Sequence, residues 1–176
     1  IDEYVQILRN NWQGHEELRK RVLNTVPTYG NDDPEADAMM QRLFDDYTAM
    51  AAQCRERVGV LRPAGISTFG REIDWAPYRG ATADGHFKGD VLATNFSPSP
   101  GSDTKGPTAA LNSYCKMDFT MLPNIGTLEL KLWPESVKGE AGLDSIVGLL
   151  EGFIKQRGCF LHIDVVDSDL LRDAKQ

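Results

Sequence analysis

The sequence predicts an α/β fold in which N-terminal helices lead into a long loop region and then into a β-α-β unit. Apolar residues recur at helical spacing in the first third, and an alternating strand pattern opens the last third. Between them, residues 62–107 contain seven glycines and five prolines. We therefore expect residues 1–176 to form a single segment, helical in 1–60, loop-rich in 61–125 and β-α-β-α in 126–176.

The first third contains three predicted helices. Apolar spacing indicates one helix before Gly14 and a second one that Pro27 stops. Asp33 is the predicted N-cap of the third helix, because Pro34 suits the first helical position. This helix is predicted to run to about Arg57. Its broad apolar face consists of Ala36, Met39, Met40, Leu43, Phe44, Tyr47 and Met50.

The middle region is too rich in aromatic residues to be a solvated linker. Structureless connections longer than about 12–15 residues are uncommon in compact domains unless they are functional or disordered. An ordered loop of this length needs a surface to lie on, so we expect a larger protein body around it. Short strands are predicted at 65–69 and 90–93, and the aromatic residues are Phe69, Trp75, Tyr78, Phe87 and Phe96.

The last third is a predicted strand–helix–strand unit. Residues 126–133 alternate with period two, which places Leu128, Leu130 and Leu132 on one face of a strand. A helix over about 139–157 and a strand over 159–166 follow, and the long crossover predicts parallel, right-handed pairing. The other expected features are a helical stripe of Leu143, Ile146, Val147, Leu150 and Ile154, a C-cap at Gly158, and a last helix capped by Asp167 that carries Leu170 and Leu171.

Charge and cysteine usage exclude several classes of protein. The chain has 19 Lys plus Arg against 26 Asp plus Glu, a net charge of −7 that argues against a nucleic-acid binder. No apolar run approaches the 18 or so residues of a membrane span, and the acidic start does not suit a signal peptide. Three widely spaced cysteines predict neither a disulfide scaffold nor a zinc site, so a cytoplasmic location is expected.

No metal or nucleotide site is predicted either. His15, His86 and His162 lack ligand spacing to one another or to cysteine. The segment 105–108 resembles a phosphate loop only in its Lys-Gly pair, and the acidic segment 31–33 lacks the oxygen spacing of a calcium loop. The acidic segment is better explained as a helix cap.

Five stretches resemble the glycyl radical enzymes, the pyruvate formate-lyase-like lyases, dehydratases and decarboxylases. The longest, FSPSPGSDTKGPTAALNS at 96–113, resembles a loop and following helix of that family. The others occur in the family's order and spacing, so the resemblance covers essentially the whole chain. They are VPTYGNDD at 26–33, GATADG at 80–85, LELKLWP at 128–134 and HIDVVD at 162–167.

The resemblance implies a fold and a site. The fold would be a partial segment of the family's ten-stranded α/β barrel, whose interior holds the active site and is lined by long loops. The loop at 96–102 would approach the substrate, which makes Phe96, Ser97, Ser99 and Ser102 the candidate substrate-binding residues. Alternatively, Ser-Pro-Ser-Pro is a rigid turn whose hydroxyls satisfy nearby backbone groups.

The resemblance also implies chemistry that this chain does not carry by itself. The family uses a thiyl-forming cysteine and a backbone glycyl radical, and neither motif is present, so no catalytic residue and no bound cofactor are predicted here. Cys159 and Gly59 match these motifs superficially; a small buried residue and a helix stop are the expected roles. By this comparison the segment is internal, lying between the catalytic cysteine and the radical glycine.

In the whole enzyme, a radical-SAM, iron–sulfur activase would install the glycyl radical. Hydrogen abstraction from a small substrate would lead to elimination, decarboxylation or carbon–carbon cleavage. The expected partners are that substrate, the remainder of the enzyme chain, the activase and a second copy in a homodimer, with no nucleic acid and no membrane.

The chain departs from the family pattern at three positions. His86 follows Asp84-Gly85 where the family usually has arginine, and Glu129 and Asp164 stand where it has asparagine. The two carboxylates indicate a changed subfamily or a cationic ligand, or else they occupy edge or solvent-facing positions.

A non-catalytic binding or docking module is the alternative function. A fold that stands alone predicts that the loop at 62–107 packs back on the helices. A segment cut from a larger body predicts exposed apolar patches on Leu128, Leu130 and Leu132 and on the Met39/Phe44 face of the third helix.

Overall fold

The structure, a computed structural model, describes residues 1–56, 64–68, 70–167 and 169. Arg57, Gly59, Phe69, Leu170 and Leu171, on which some of the sequence predictions fall, lie outside these residues. The helices are α1 (Asp2–Arg9), α2 (Glu16–Thr25), α3 (Pro34–Glu56), α4 (Arg71–Trp75), α5 (Pro107–Tyr114) and α6 (Gly139–Lys155), and the strands are β1 (Thr127–Leu132) and β2 (Phe160–Val165). Three 3₁₀ turns lie at Ala76–Tyr78, Phe119–Met121 and Pro134–Val137.

The N-terminus of α3 confirms the cap predicted from the sequence. The Asp33 carboxylate accepts hydrogen bonds from the backbone N–H groups of Glu35, at 3.0 Å, and Ala36, at 3.2 Å. These bonds satisfy two of the first N–H groups of the helix, which have no partner within it. Further along, α3 buries Phe44 but leaves Met39 exposed.

The β-α-β unit forms with the expected parallel pairing. β1 and β2 pair in register from Thr127 opposite Phe160 to Leu132 opposite Val165, and α6 connects them. Of the short predicted strands, the one at 65–69 is reduced to a parallel bridge between Ile66 and Gly126. Residues 90–93 form no strand, so that prediction is wrong.

The Tyr114 hydroxyl at the end of α5 ties the starts of both strands together. It donates to the carbonyl oxygen of Gly126 and accepts from the N–H of Phe160 at 3.1 Å. Burial raises the pKa of this phenol, so the hydroxyl remains a proton donor at neutral pH. α5 is thereby fixed across the amino ends of the sheet.

The core lies between α3, α5, α6 and the inner face of β1. Leu128, Leu130 and Leu132 are 0%, 3% and 9% exposed, because the helices and the loop that carries Phe96 cover them. The exposed strand patch expected of a cut-out segment is therefore absent here, and Phe44 is buried as well. The core residues are Phe44, Phe96, Ala110, Leu111, Tyr114, Met117, Leu122, Leu128, Leu130 and Leu149.

The buried face of α6 differs from the predicted stripe. Gly142 and Leu149 face inward, and a Cβ on Gly142 would lie 2.1 Å from the carbonyl carbon of Val137. Because of this close approach, the Gly142 side of the helix packs against the turn that contains Val137. Four members of the predicted stripe are exposed as a result: Leu143, Val147, Leu150 and Ile154.

In the part of the chain that the structure describes, no helix combines the length and apolar character needed to cross a membrane.

Candidate functional site

The four predicted substrate-binding residues lie on one ordered loop, residues 94–105, which leads into α5. We call it the serine loop. Two asparagine side chains hold it, one near each end, and no sequence pattern predicts either contact.

Asn95 fixes the first end of the serine loop. Its backbone is left-handed, with φ of 49°, and its side-chain oxygen accepts from the Ser67 hydroxyl at 3.0 Å and the Thr68 N–H at 2.9 Å. Its amide nitrogen donates to one carboxylate oxygen of Glu129, and the Thr94 hydroxyl donates to the other at 2.8 Å. The loop is thus bonded to strand β1 through Glu129.

These contacts test the interpretation of Glu129 as a solvent-facing residue. Both of its carboxylate oxygens accept hydrogen bonds from the serine loop, and the side chain is half-buried. The interpretation of a solvent-facing position is therefore wrong. The Glu129 carboxylate therefore acts as a hydrogen-bond acceptor that joins the serine loop to β1.

Asn31 fixes the second end of the loop. Its side chain is buried, donates to the carbonyl of Ser102 at 2.6 Å and accepts from the N–H of Lys105 at 3.0 Å. The preceding Gly30 allows this contact, since a Cβ there would lie 2.2 Å from Cγ of Pro98 and the φ is +97°. The turn at 28–31 is therefore seated directly on the serine loop.

Phe96 lies at the centre of the aromatic core. It is 3% exposed and makes edge-to-face contacts with Tyr29, Phe44 and Phe119 at centroid distances of 5.7–5.9 Å. Such pairs contribute about 0.5–1.5 kcal/mol each beyond the burial of their area. The ring thus anchors the loop, and substrate contact by Phe96 stays a prediction.

The three serines of the loop differ in how their hydroxyls are used. The Ser97 oxygen is buried and accepts from the N–H of Glu129 at 2.8 Å. The Ser102 hydroxyl donates to the carbonyl of Ser99 at 2.7 Å. The Ser99 hydroxyl is half-buried and makes no hydrogen bond with the described residues. The rigid-turn interpretation thus describes Ser97 and Ser102, whereas Ser99 has its full hydrogen-bonding capacity.

A cleft of about 220 Å³ adjoins the far end of the serine loop. Ser102 and Lys105 line it on one side, and Asp84 and His86 on the other. The His86 ring nitrogen Nδ1 lies 3.3 Å from a carboxylate oxygen of Asp84. Burial alone would raise the pKa of Asp84, but hydrogen bonds from Thr82 and His86 outweigh it and lower the pKa.

Lys116, just after α5, joins this helix to the start of α3. Its ammonium lies 2.6 Å from an Asp32 oxygen and 2.7 Å from an Asp37 oxygen, and Asp37 is 2% exposed. Burial alone would lower the pKa of Lys116, but the hydrogen bonds to Asp32 and Asp37 raise it. The pair holds the helix after the serine loop against α3.

The remaining candidates for chemistry are isolated. Cys159 is exposed, so its expected burial is wrong: it lies in the turn before β2 and not in the strand. Burial raises the pKa of Cys115 to about 11, which keeps this thiol protonated at neutral pH. His162 pairs with Asp164 at 3.3 Å on β2. Among the described residues, no three His, Cys, Asp or Glu side chains are grouped as a metal site.

Two family models match the chain in succession. Residues 1–73 match the model described as pyruvate formate lyase-like, and residues 92–176 match the model described as glycine radical. Together they cover most of the chain, in the order expected from the sequence motifs. The chain belongs to the glycyl radical enzyme family.

Two dehydratases are similar over most or all of the chain. Trans-4-hydroxy-L-proline dehydratase of Clostridioides difficile is 32% identical over 183 residues, covering 100% of this chain and 22% of the relative. A probable dehydratase of Escherichia coli is 31% identical over 92% of this chain and 21% of its own length. The chain thus spans about a fifth of the length of these relatives.

Solved structures of the family show the same arrangement of helices and strands. The hydroxyproline dehydratase of Clostridioides difficile with trans-4-hydroxy-L-proline bound superposes with a TM-score of 0.86 at 29% identity, covering 99% of this chain and 22% of that one. The glycerol dehydratase of Clostridium butyricum gives a TM-score of 0.82 at 29% identity with the same coverage. The mixed helix and strand fold of this glycyl radical enzyme segment is therefore shared with both.

Proposed function

We propose that these residues are an internal segment of a glycyl radical enzyme that acts on a small molecule by radical hydrogen abstraction. The observation that carries the proposal is the ordered match of both family models over residues 1–73 and 92–176. The similar proteins named above are dehydratases, and an indoleacetate decarboxylase is also 29% identical. The proposed enzyme is therefore a lyase, such as a dehydratase or a decarboxylase. A formate acetyltransferase-type reaction is the other member of the proposed class.

The proposed segment supplies no radical-bearing residue. A glycyl radical, installed by a radical-SAM activase, would provide the oxidising equivalent for hydrogen abstraction when it is present in the whole enzyme. The residues described here would instead build and hold a wall of the substrate cavity. The expected partners are the remainder of the enzyme chain, the activase and a second copy of the enzyme, in the cytoplasm.

The serine loop is the part of this wall that we propose to contact substrate. Its first end is fixed by Asn95 and by Phe96 in the core, and its second end is fixed by Asn31. A loop held at three points presents its remaining polar groups with little entropy to lose on binding. Ser99 is then the residue best suited to hydrogen-bond a polar substrate, because its hydroxyl has no other described partner.

We further propose that β1 and β2 are two neighbouring strands of the family's ten-stranded barrel. Among the described residues, β2 pairs only with β1, so its other edge has backbone groups available for a further strand. Helix α6 also has exposed apolar side chains, which supports a larger protein body packed against this unit. They are Leu143, Val147, Leu150 and Ile154.

Kinetics of a loop variant in the longer enzyme test the proposed substrate contact. Ser99→Ala should raise KM about tenfold, the value of one lost hydrogen bond of about 1.4 kcal/mol, with a smaller change in kcat. Ser145→Ala is the matched control, because that hydroxyl is exposed on α6 and donates to the Ala141 carbonyl. Equal KM values for the two variants would contradict substrate contact by Ser99.

A non-catalytic binding module is the second candidate, and one observation favours it. The serine loop packs back on α3 through Phe96 and Phe44, as expected of a fold that stands alone. A purified protein that contains only these residues would support this candidate if it is folded and unfolds cooperatively on heating. Turnover by the longer enzyme that is abolished on deletion of residues 94–105 would contradict it.

A further inference from the structure

The beginning of the serine loop is bonded to a single residue of β1, Glu129. The Thr94 hydroxyl donates to one of its carboxylate oxygens at 2.8 Å, and the Asn95 amide donates to the other. The Ser97 hydroxyl oxygen accepts from the backbone N–H of Glu129 at 2.8 Å. Glu129 therefore contacts the loop through its side chain and through its backbone.

The orientation of the Asn95 amide is fixed from its other side. Its oxygen accepts from the Ser67 hydroxyl at 3.0 Å and from the Thr68 N–H at 2.9 Å. The nitrogen, which can only donate, is therefore the atom that faces Glu129. Position 129 must supply an acceptor, and an ionised carboxylate is a group that only accepts.

Groups of the serine loop are the partners that the Glu129 carboxylate has. Lys131 lies two residues further along the same face of β1, and His162 is the register partner of Glu129 on β2. Within the described part of the chain, neither side chain forms an ion pair with Glu129, and His162 lies instead 3.3 Å from Asp164. The negative charge on β1 is thus directed at the loop.

The position of Ser99 follows from these contacts. Pro98 separates it from Ser97, and the proline ring fixes one backbone dihedral angle. Pro98 also packs closely against Gly30, where a Cβ would lie 2.2 Å from the proline Cγ. The Ser99 carbonyl accepts from the N–H of Ser102 at 3.0 Å and from its hydroxyl at 2.7 Å. The backbone is fixed on both sides of Ser99, so its hydroxyl lies where the loop places it.

We propose that Glu129 is a positioning residue for the substrate: its carboxylate, matched to the Asn95 amide, determines where the Ser99 hydroxyl lies. This role rests on the proposed substrate contact of Ser99, and it adds the residue that sets the geometry of that contact. The pairing needs one donor and one acceptor at positions 95 and 129. Exchanging the two between these positions should therefore preserve it.

Reversing the donor and the acceptor tests this pairing. Asn95→Asp keeps an oxygen for Ser67 and Thr68 but places a second carboxylate against Glu129, and two carboxylates in contact repel each other at neutral pH. Adding Glu129→Gln restores one donor and one acceptor with the opposite polarity. The loop should be displaced in the single variant and restored in the double variant.

Amide hydrogen exchange of the longer enzyme, followed by mass spectrometry, measures whether the loop stays in place. The N–H groups of Phe96, Ser97 and Ser102 make backbone hydrogen bonds that protect them from exchange. We expect exchange in residues 94–102 to be about tenfold faster in Asn95→Asp, the equivalent of one lost hydrogen bond. The double variant should exchange close to the unsubstituted rate, and peptides from α6 should be unchanged in both.

Asn112→Asp is the matched control for the added charge. The Asn112 amide donates to a carboxylate oxygen of Asp32 at 3.0 Å, at an exposed site on α5. The substitution therefore creates the same pair of carboxylates away from the serine loop. Exchange in residues 94–102 should not change in this variant.

The consequence for substrate is measured by kinetics of the longer enzyme, with trans-4-hydroxy-L-proline as the probe. Asn95→Asp should raise KM about tenfold, and the double variant should reverse this increase. In a Ser99→Ala background, Asn95→Asp should cause no further increase, because both changes act on the same contact. The exchange pattern decides the role of Glu129 whether or not the probe is turned over.

Two results would overturn the proposal: unchanged loop exchange in Asn95→Asp, or a double variant whose loop exchanges as fast as that of the single variant. The expected exchange pattern with unchanged KM values would instead contradict the substrate contact of Ser99, so the two failures are distinguishable. If Asn95→Asp unfolds, which fast exchange in α6 would reveal, the double variant decides, because it must fold and keep slow loop exchange.

Discussion

At the scale of single residues, the junction of α3 with α5 depends on Lys116. Its ammonium is the charged partner of Asp37, whose carboxylate is almost completely buried and whose second oxygen has no hydrogen bond among the described residues. Removing one member of such a pair is costly, because it leaves the other charge buried without compensation.

Lys116→Met should lower the free energy of unfolding at pH 7 by about 2–4 kcal/mol. This loss is smaller than the largest losses found on breaking fully buried ion pairs, because the lysine is 39% exposed. Urea denaturation measures this change. Lys138→Met is the matched control, since Lys138 pairs with Glu135 at 3.5 Å with both side chains exposed, and it should cost less than about 1 kcal/mol. Equal losses in the two variants would show that Lys116 contributes no more than a surface pair.

The same junction gives a pH dependence with a definite sign. Hydrogen bonds from Lys116, and then from Asn112, lower the pKa of Asp32 below its ordinary value of 3.8. A lowered carboxyl pKa contributes stability that is present above the ordinary value and lost as the pH falls through the lowered one. The difference in unfolding free energy between the unsubstituted protein and Lys116→Met should therefore shrink as the pH falls below about 4. A constant difference down to pH 2 would contradict this.

Residues of this kind are the part of the site that the sequence did not reveal. The sequence identified the serine loop but not Asn31 and Asn95, because hydrogen bonds between residues 71 or 34 positions apart have no local pattern. Glu129 gives no such signal either, because it alternates with leucines on the same polar face of β1 as Lys131. Its partners Thr94 and Asn95 lie on a different segment, which the strand pattern does not show.

At the scale of secondary structure, the C-terminus of α6 shows two opposite uses of backbone freedom. The left-handed residue is Arg157, with φ of 60°, and not the predicted Gly158. Gly158 is required for a different reason, because a Cβ there would lie 2.0 Å from Cε2 of Phe153. The N–H of Gly158 donates to the carbonyl of Phe153 at 3.0 Å and closes the helix.

Substitutions at this helix end should therefore have opposite effects. Arg157→Gly should raise the free energy of unfolding by about 0.5–1 kcal/mol by relieving the left-handed strain. Gly158→Ala should lower it by about 1–3 kcal/mol, because Phe153 must move. Thermal unfolding of both variants measures these changes.

Gly152→Ala is the control for the helix itself. Nothing lies within 4 Å of a Cβ at that position, so alanine should be stabilising by about 0.5–1 kcal/mol. The same sign of change for Gly158→Ala and Gly152→Ala would contradict the close approach of Phe153.

Elements were predictable where the signal is local. The cap at Asp33, the parallel pairing of β1 and β2, and the long helix between them all follow from short patterns. The buried face of α6 does not follow from such a pattern, because the helix has apolar residues on two sides. Which side is buried depends on the approach of Val137 to Gly142. Sequence periodicity cannot rank two apolar faces of one helix.

At the scale of the whole molecule, two observations have to be reconciled. The core around Phe96 is closed, and the inner face of β1 is fully covered. The chain nevertheless spans only 22% of its relative in Clostridioides difficile and leaves the outer face of α6 exposed. Both observations agree with a segment that has its own core and whose outer surfaces belong to a larger enzyme.

The family motifs in the sequence predicted this membership, and three of them have structural roles here. The turn at 28–31 receives the serine loop, residues 82–86 form the turn beside the cleft, and 128–134 supplies β1.

The most direct test of the central claim is electron paramagnetic resonance after anaerobic activation. The longer protein that carries these residues is treated with a radical-SAM activating enzyme, with trans-4-hydroxy-L-proline dehydratase and its own activase as the positive control. We expect a glycyl radical signal from the longer protein and none from residues 1–176 alone. A silent longer protein beside an active control, or a radical on residues 1–176 alone, would contradict the account.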